Sequence, residues 1–161
     1  MNTKTNIFNY PHPFVTVDVL ILTVVDNDLR ILLVKRKDEP FKNYWSIPGG
    51  FVQIDESLDE AAVRALQEKT GVKDVYLEQL YSFGDINRDP RARVLTVSYF
   101  ALTPSNKVGF SRVEDVGAAW FSVKSLPVLA FDHKKIIKYG IERLKAKIGY
   151  SNIALSLSIP Y

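Results

Sequence analysis

The side chains best suited to phosphate chemistry lie together in residues 50–72. Pro48-Gly49-Gly50 leads into that stretch, and paired glycines let the backbone come close to a phosphate group. Glu56 follows, then Ser57 with Glu60 three residues on, a capping box that starts a helix. Arg64, Glu68 and Lys69 fall on that helix, and Gly71 suits its C-terminal stop. Carboxylates three or four residues apart on a helix lie within one turn of each other. Clustered in that way they hold Mg²⁺ or Mn²⁺, and the metal neutralises a diphosphate and activates water for attack on phosphorus. A lysine on the same face repels a divalent cation and can hold the phosphate directly. Glu56, Glu68 and Lys69 set these two chemistries against each other.

The stretch resembles the Nudix box: Gly, five residues, Glu, seven residues, then Arg-Glu-apolar-x-Glu-Glu-x-Gly-apolar. The spacing matches from Gly50 to Val72, and Trp45-Ser46-Ile47-Pro48-Gly49-Gly50 matches the family's lead-in. The resemblance implies the Nudix fold, an α/β (α+β) architecture with a mixed β-sheet sandwiched between α-helices. Two carboxylate positions differ, because Ala65 and Lys69 stand where the box has Glu. Glu→Ala adds one positive unit and Glu→Lys two, which leaves the implied metal site short of ligands. Glu56, Arg64 and Glu68 are therefore expected to be a vestigial box with no catalytic residue. No metal is expected to be required, with residual Mg²⁺ possible at Glu56 and Glu68. Arg64 matches the box arginine, which positions its neighbours. Ligands from Asp59, Glu60 or a distant loop would restore a hydrolase.

Other charged and aromatic residues are candidates for the same ligand. Lys35, Arg36 and Lys37 end a strand near the box and either meet phosphate or face water. Residues 85–93 hold Arg88, Asp89, Arg91 and Arg93, which suit either a diphosphate clamp or a salt-linked surface loop. Asp132 reads as an N-cap, and His133 follows it at a helix N-terminus, where anions bind. Trp45, Phe51, Tyr81 and Phe83 are candidates to stack on a base or to fill the core. The expected ligand contacts are Arg36, Lys37, Trp45, Gly49, Gly50, Phe51, Lys69, Phe83, Arg88, Arg91 and His133. Lys134, Lys135, Lys138, Arg143, Lys145 and Lys147 make the last helix basic, either as a solvated face or as a nucleic-acid surface.

The elements that must position these groups follow from apolar periodicity. Residues 14–25 and 30–34 read as strands joined by Asp26-Asn27-Asp28, a hairpin. Residues 45–47 are a short apolar piece. Leu58, Ala62 and Leu66 make the stripe of the box helix. Residues 75–83, 94–102 and 118–123 read as strands. Asp132 opens a last helix with Ile137, Ile141, Leu144 and Ile148 buried. The order of strands, helix, strands, helix suits helices flanking a mixed sheet. The chain's 161 residues fit one domain, and the absence of cysteine excludes disulfides and thiolate metal sites. Its longest apolar runs are too short to cross a membrane, and residues 1–14 lack a secretory pattern, so a soluble cytoplasmic protein is expected. The net charge of +3 permits an anionic ligand but does not by itself argue for nucleic acid.

Outside the box the chain is similar to the Nudix-related transcriptional regulators of NAD metabolism, the NrtR type. Glu39-Pro40-Phe41 carries this, as do residues 76–81 with Phe83-Gly84-Asp85, Arg88-Asp89-Pro90-Arg91, Ala119-Trp120-Phe121 and Leu129-Ala130-Phe131-Asp132-His133. The resemblance implies a sensor domain that binds ADP-ribose without efficient hydrolysis, within a homodimeric repressor of NAD biosynthesis or salvage genes. It implies DNA contact through a C-terminal winged helix, for which residues 1–161 offer no recognition helix. Residues 1–13 are then an N-terminal arm, 14–150 the effector domain and 151–161 a tail leading toward that winged helix. The rival expectation is an active pyrophosphatase that cleaves ADP-ribose or a related nucleotide sugar.

Overall fold

The computed structural model describes residues 6–107 and 116–148. The hairpin forms as expected, from β1 (Phe14–Val25) and β2 (Asp28–Lys35). Asp26 and Asn27 turn the chain with φ of 51° and 60°, which short polar side chains tolerate and a two-residue hairpin turn requires. The apolar piece at 45–47 holds a short strand, β3 (Trp45–Ser46), and a second, β4 (Gly49–Phe51), follows it. Helix α1 spans Leu58–Thr70, and β5 (Glu78–Phe83), β6 (Val94–Leu102) and β7 (Ala118–Ser122) follow. Helix α2 spans His133–Ile148. The strand expected to begin at residue 75 begins at Glu78, because Val75 and Leu77 instead pack against the core beside α1. The tail at 151–161 lies outside the described residues, as do residues 1–5 of the arm.

The sheet is mixed. β1 runs parallel to β6 over Phe14–Leu22, and the other strand pairs are antiparallel. Its order is β3-β2-β1-β6-β5, with β4 also on β1 and β7 also on β2. Alternate residues of β1 serve two apolar layers. Leu20 and Leu22 pack with Ile136, Ile137 and Leu144 of α2. Val17, Val19 and Ile21 pack with Ala61, Ala62, Ala65 and Leu66 of α1. A strand covered on both faces reads as a continuous apolar run, which is why Val19–Leu22 shows no polar alternation.

The α1 boundaries follow from its ends. The Ser57 hydroxyl accepts from the Glu60 N–H at 3.2 Å, and Glu60 accepts from the Ser57 N–H at 2.8 Å. Such a cap contributes about 1 kcal/mol. Gly71 closes the helix with φ of 74°, a conformation glycine adopts without steric cost.

Candidate functional site

The site opens where the hairpin splits. β1 and β2 pair only from Leu22↔Ile31 to the turn. Upstream, Thr16–Asp18 pairs instead with β4, while Val34 and Lys35 pair with β3. Between the diverging strands lies a cavity of about 660 Å³, a size suited to a nucleotide. β4 has to lie tight against β1 to form it. A Cβ on Gly49 would sit 2.3 Å from the Val17 carbonyl oxygen and 2.5 Å from Asp18 Oδ1, so only glycine fits. A second hollow, of about 720 Å³, lies between residues 70–76, at and after the end of α1, and Phe100–Pro104, away from the glycine loop.

The box residues are drawn together by one guanidinium. Arg64 donates to Glu56 through Nε at 2.8 Å and Nη2 at 2.5 Å, to Glu68 at 3.1 Å, and to the Phe51 carbonyl at 2.9 Å. The fork with Arg64, aided by the Gln53 N–H, lowers the Glu56 pKa to about 2. The same pairing raises the pKa of Arg64. Lys69, one residue past Glu68, lines the cavity. Ala65, one turn before Lys69 on the same helix, is buried in the α1 layer next to Gly50.

The floor of the cavity is a buried polar cluster. Asp18 is 6% exposed, and its Oδ2 accepts from the Thr96 hydroxyl at 2.6 Å. His133 Nδ1 accepts from the Ile47 N–H at 2.9 Å, which assigns the ring proton to Nε2, 3.6 Å from Asp18 Oδ1. Burial lowers the His133 pKa, outweighing the pull of Asp18 and Asp132 in the other direction. Arg88 forks onto Asp132 at 2.7 and 3.0 Å behind this floor.

One wall combines arginines with aromatic rings. Arg91 forks onto Asp89 at 2.8 and 3.0 Å. Burial works to raise the Asp89 pKa, but the bonds from Arg91 outweigh it and the net shift is downward. Arg36 donates to the Pro40 carbonyl at 2.8 Å, and burial together with the charge of Arg91 lowers its pKa. Phe131 lies between these arginines and His133 on the cavity lining, with φ of 51°. Left-handed backbone costs a bulky residue about 1–3 kcal/mol.

Of the residues expected from sequence, Arg36, Lys37, Gly49, Gly50, Phe51, Lys69, Arg91 and His133 line this cavity, as does Lys35. Trp45, Phe83 and Arg88 stand elsewhere. Trp45 packs on Phe121 against the α2 layer, and Phe83 is buried against Tyr81 and Tyr139. Sequence reasoning missed Asp18 and Phe131. Asp18 is one acid inside an apolar strand, which is itself the signal of a buried carboxylate with a task. Several basic residues of α2 meet partners on the neighbouring surface: Lys135 pairs with Asp85 at 2.8 Å, Lys147 with Glu78, and Arg143 donates to the Leu80 carbonyl at 3.1 Å.

A glycine loop feeding a capped helix, beside a split mixed sheet covered by helices on both faces, defines a Nudix-type fold. The chain belongs to the NUDIX domain family, whose pattern matches residues 15–142. It is 38% identical over 156 residues to the ADPR responsive transcriptional repressor NtrR of Acinetobacter baylyi, an alignment that takes in 94% of this chain and 62% of that protein. The chain thus spans under two thirds of that relative's length. It is also 39% identical over 131 residues to the ADP-ribose pyrophosphatase of Methanocaldococcus jannaschii, covering 80% of this chain and 73% of the relative. The NUDIX domain of Shewanella oneidensis NrtR complexed with ADP ribose superimposes with a TM-score of 0.76 at 34% identity, covering 88% of this chain and 94% of that one. Shewanella oneidensis NrtR complexed with a 27mer DNA gives a TM-score of 0.77 at 37% identity, covering 88% and 67%. Among the described residues no helix is long and apolar enough to cross a membrane.

Proposed function

We propose that this chain is the ligand-sensing domain of a transcriptional repressor of NAD biosynthesis or salvage genes, and that it binds ADP-ribose without efficient hydrolysis. The observation that carries this reading is Lys69 on the lining of a cavity that also holds Lys35, Arg36, Lys37 and Arg91. The charge of Arg91 disfavours that of Arg36, and a diphosphate beside them relieves that repulsion. In this reading the ammonium of Lys69 takes the role of a metal ion.

Nudix hydrolysis calls for divalent cations. The residues present do not fit one: the carboxylates of Glu56 and Glu68 are both bonded to Arg64, Ala65 offers no ligand, and Lys69 adds repulsion. Among the described residues no group of three acidic, histidine or cysteine side chains is placed to hold a metal. Similarity to the Acinetobacter repressor over 94% of this chain supports the regulatory role, with a homodimer and a C-terminal DNA-binding part as its further terms. Similarity to the Methanocaldococcus pyrophosphatase supports the second reading, a hydrolase of ADP-ribose.

Calorimetric titration with ADP-ribose, with and without Mg²⁺, followed by analysis of the recovered nucleotide, separates the two. Metal-independent binding with ADP-ribose recovered intact is expected of the sensor. Mg²⁺-dependent release of AMP and ribose phosphate would establish the hydrolase.

A further inference from the structure

Phosphate binding leaves the backbone of Phe131 unexplained. The residue carries the chain from the Ala130 N–H bond on the Trp45 carbonyl into α2. Glycine or asparagine makes such a turn without the strain that φ of 51° imposes on phenylalanine. What phenylalanine adds at this position is its ring. That ring is half-buried and lines the cavity. Phe41 meets it edge-on with centroids 4.8 Å apart and is itself left-handed, with φ of 63°. Two adjoining aromatic residues thus hold unfavourable backbone, Phe131 on the cavity lining and Phe41 packed against it. Strain of this kind persists where the surroundings over-determine it, and it clusters at ligand clamps. The cations belong to the same wall: the Arg36 guanidinium carbon lies 4.8 Å from the Phe131 centroid and that of Arg91 5.5 Å.

We propose that Phe131 is the nucleobase platform of this cleft, with the base of a nucleoside diphosphate stacked on its ring while Arg36 and Arg91 hold the diphosphate beside it. The assignment rests on the nucleotide-binding reading above. Phe51 is the competing platform. It is 46% exposed, and its ring packs edge-on against Phe14, with centroids 6.0 Å apart. Both rings line the cavity, but Phe131 adds strained backbone and a second guanidinium, whereas among the described residues Phe51 has the single guanidinium of Arg91 over its ring.

The test titrates ADP-ribose into the wild-type chain, Phe131→Asn, Phe131→Tyr and Phe51→Ala, with a thermal melt of each. Asparagine tolerates the left-handed turn, so Phe131→Asn is expected to melt within a few degrees of wild type yet bind ADP-ribose roughly tenfold or more weakly. Phe131→Tyr keeps the aromatic face and is expected to bind as wild type does. Unchanged affinity in Phe131→Asn overturns the proposal, as does a loss confined to Phe51→Ala. Equal losses in the Asn and Tyr variants, or a collapsed melting temperature in Phe131→Asn, assign the ring to packing and overturn it too. If the wild type fails to bind ADP-ribose, the nucleotide-binding reading falls first and this assignment falls with it.

Discussion

Arg64 holds both carboxylate oxygens of Glu56, at 2.5 and 2.8 Å, while its remaining donors reach Glu68 and the Phe51 carbonyl. One side chain thereby ties α1 to the loop before it and to β4, the strand that frames the cleft.

That fork has a defined pH window. The Glu56 pKa falls from 4.5 to about 2 on folding, so the unfolded chain takes up the proton first. The stabilisation is fully present above pH 4.5 and is lost as the pH falls through about 2. Arg64→Ala is expected to melt a few degrees below wild type near neutrality, and the gap is expected to close as acid titrates Glu56. Melting curves of both proteins across this range measure it. A gap that stays constant down to pH 2 would show that Arg64 acts through packing alone.

His133 gives the opposite half of the acid range its slope. Burial lowers its pKa below 6.5, so below that pH the unfolded chain binds a proton that the folded chain refuses. Wild-type stability is expected to drop as the pH falls below 6.5, and His133→Asn is expected to flatten that part of the curve. Asparagine can still accept from the Ile47 N–H while carrying no titratable group. Urea titrations of both proteins at several pH values decide the matter.

Arg88 is expected to matter for stability before it matters for ligand. Its side chain is 4% exposed and forked onto Asp132, with Asp18 at 4.0 Å. Arg88→Ala strands a buried charge and is expected to cost about 3–5 kcal/mol of folding free energy. A double variant with Asp132→Ala is expected to lose less than the sum of the two single losses, because each single change removes the same fork.

Lys69 is expected to act on affinity alone, since it is exposed at the cleft. Lys69→Ala is expected to weaken metal-free ADP-ribose binding roughly tenfold, as loss of one charge-assisted hydrogen bond does. Lys69→Glu is expected to weaken it further and to make what remains depend on Mg²⁺. Calorimetry with and without the cation reads both effects, and equal affinities for wild type and Lys69→Ala would remove lysine from the site.

Local signals carried much of this structure in the sequence. The box spacing, the Ser57–Glu60 cap, Gly71 and the Asp26-Asn27 turn are written in neighbouring residues, and they placed α1, the hairpin and the glycine loop. The cationic lining was legible because Arg36, Lys37, Lys69 and Arg91 stand out by type. Contacts between distant segments were not legible. Trp45 and Phe83 look like base-stacking rings until the sheet sends them into the α2 layer. Asp18 and His133 meet across 115 positions of sequence, and only the parting of β1 from β2 makes that floor. Phe131 was missed because its signal is a backbone angle, which residue type does not announce.

The parting of β1 and β2 also separates two kinds of inheritance. Lys35, Arg36, Lys37, Lys69 and Arg91 belong to neither apolar layer. Substitutions among them change what the wedge will hold while both layers go on folding the chain as before. A lineage can therefore retune what the wedge recognises by rewriting a few cations, with the scaffold nearly blind to the exchange.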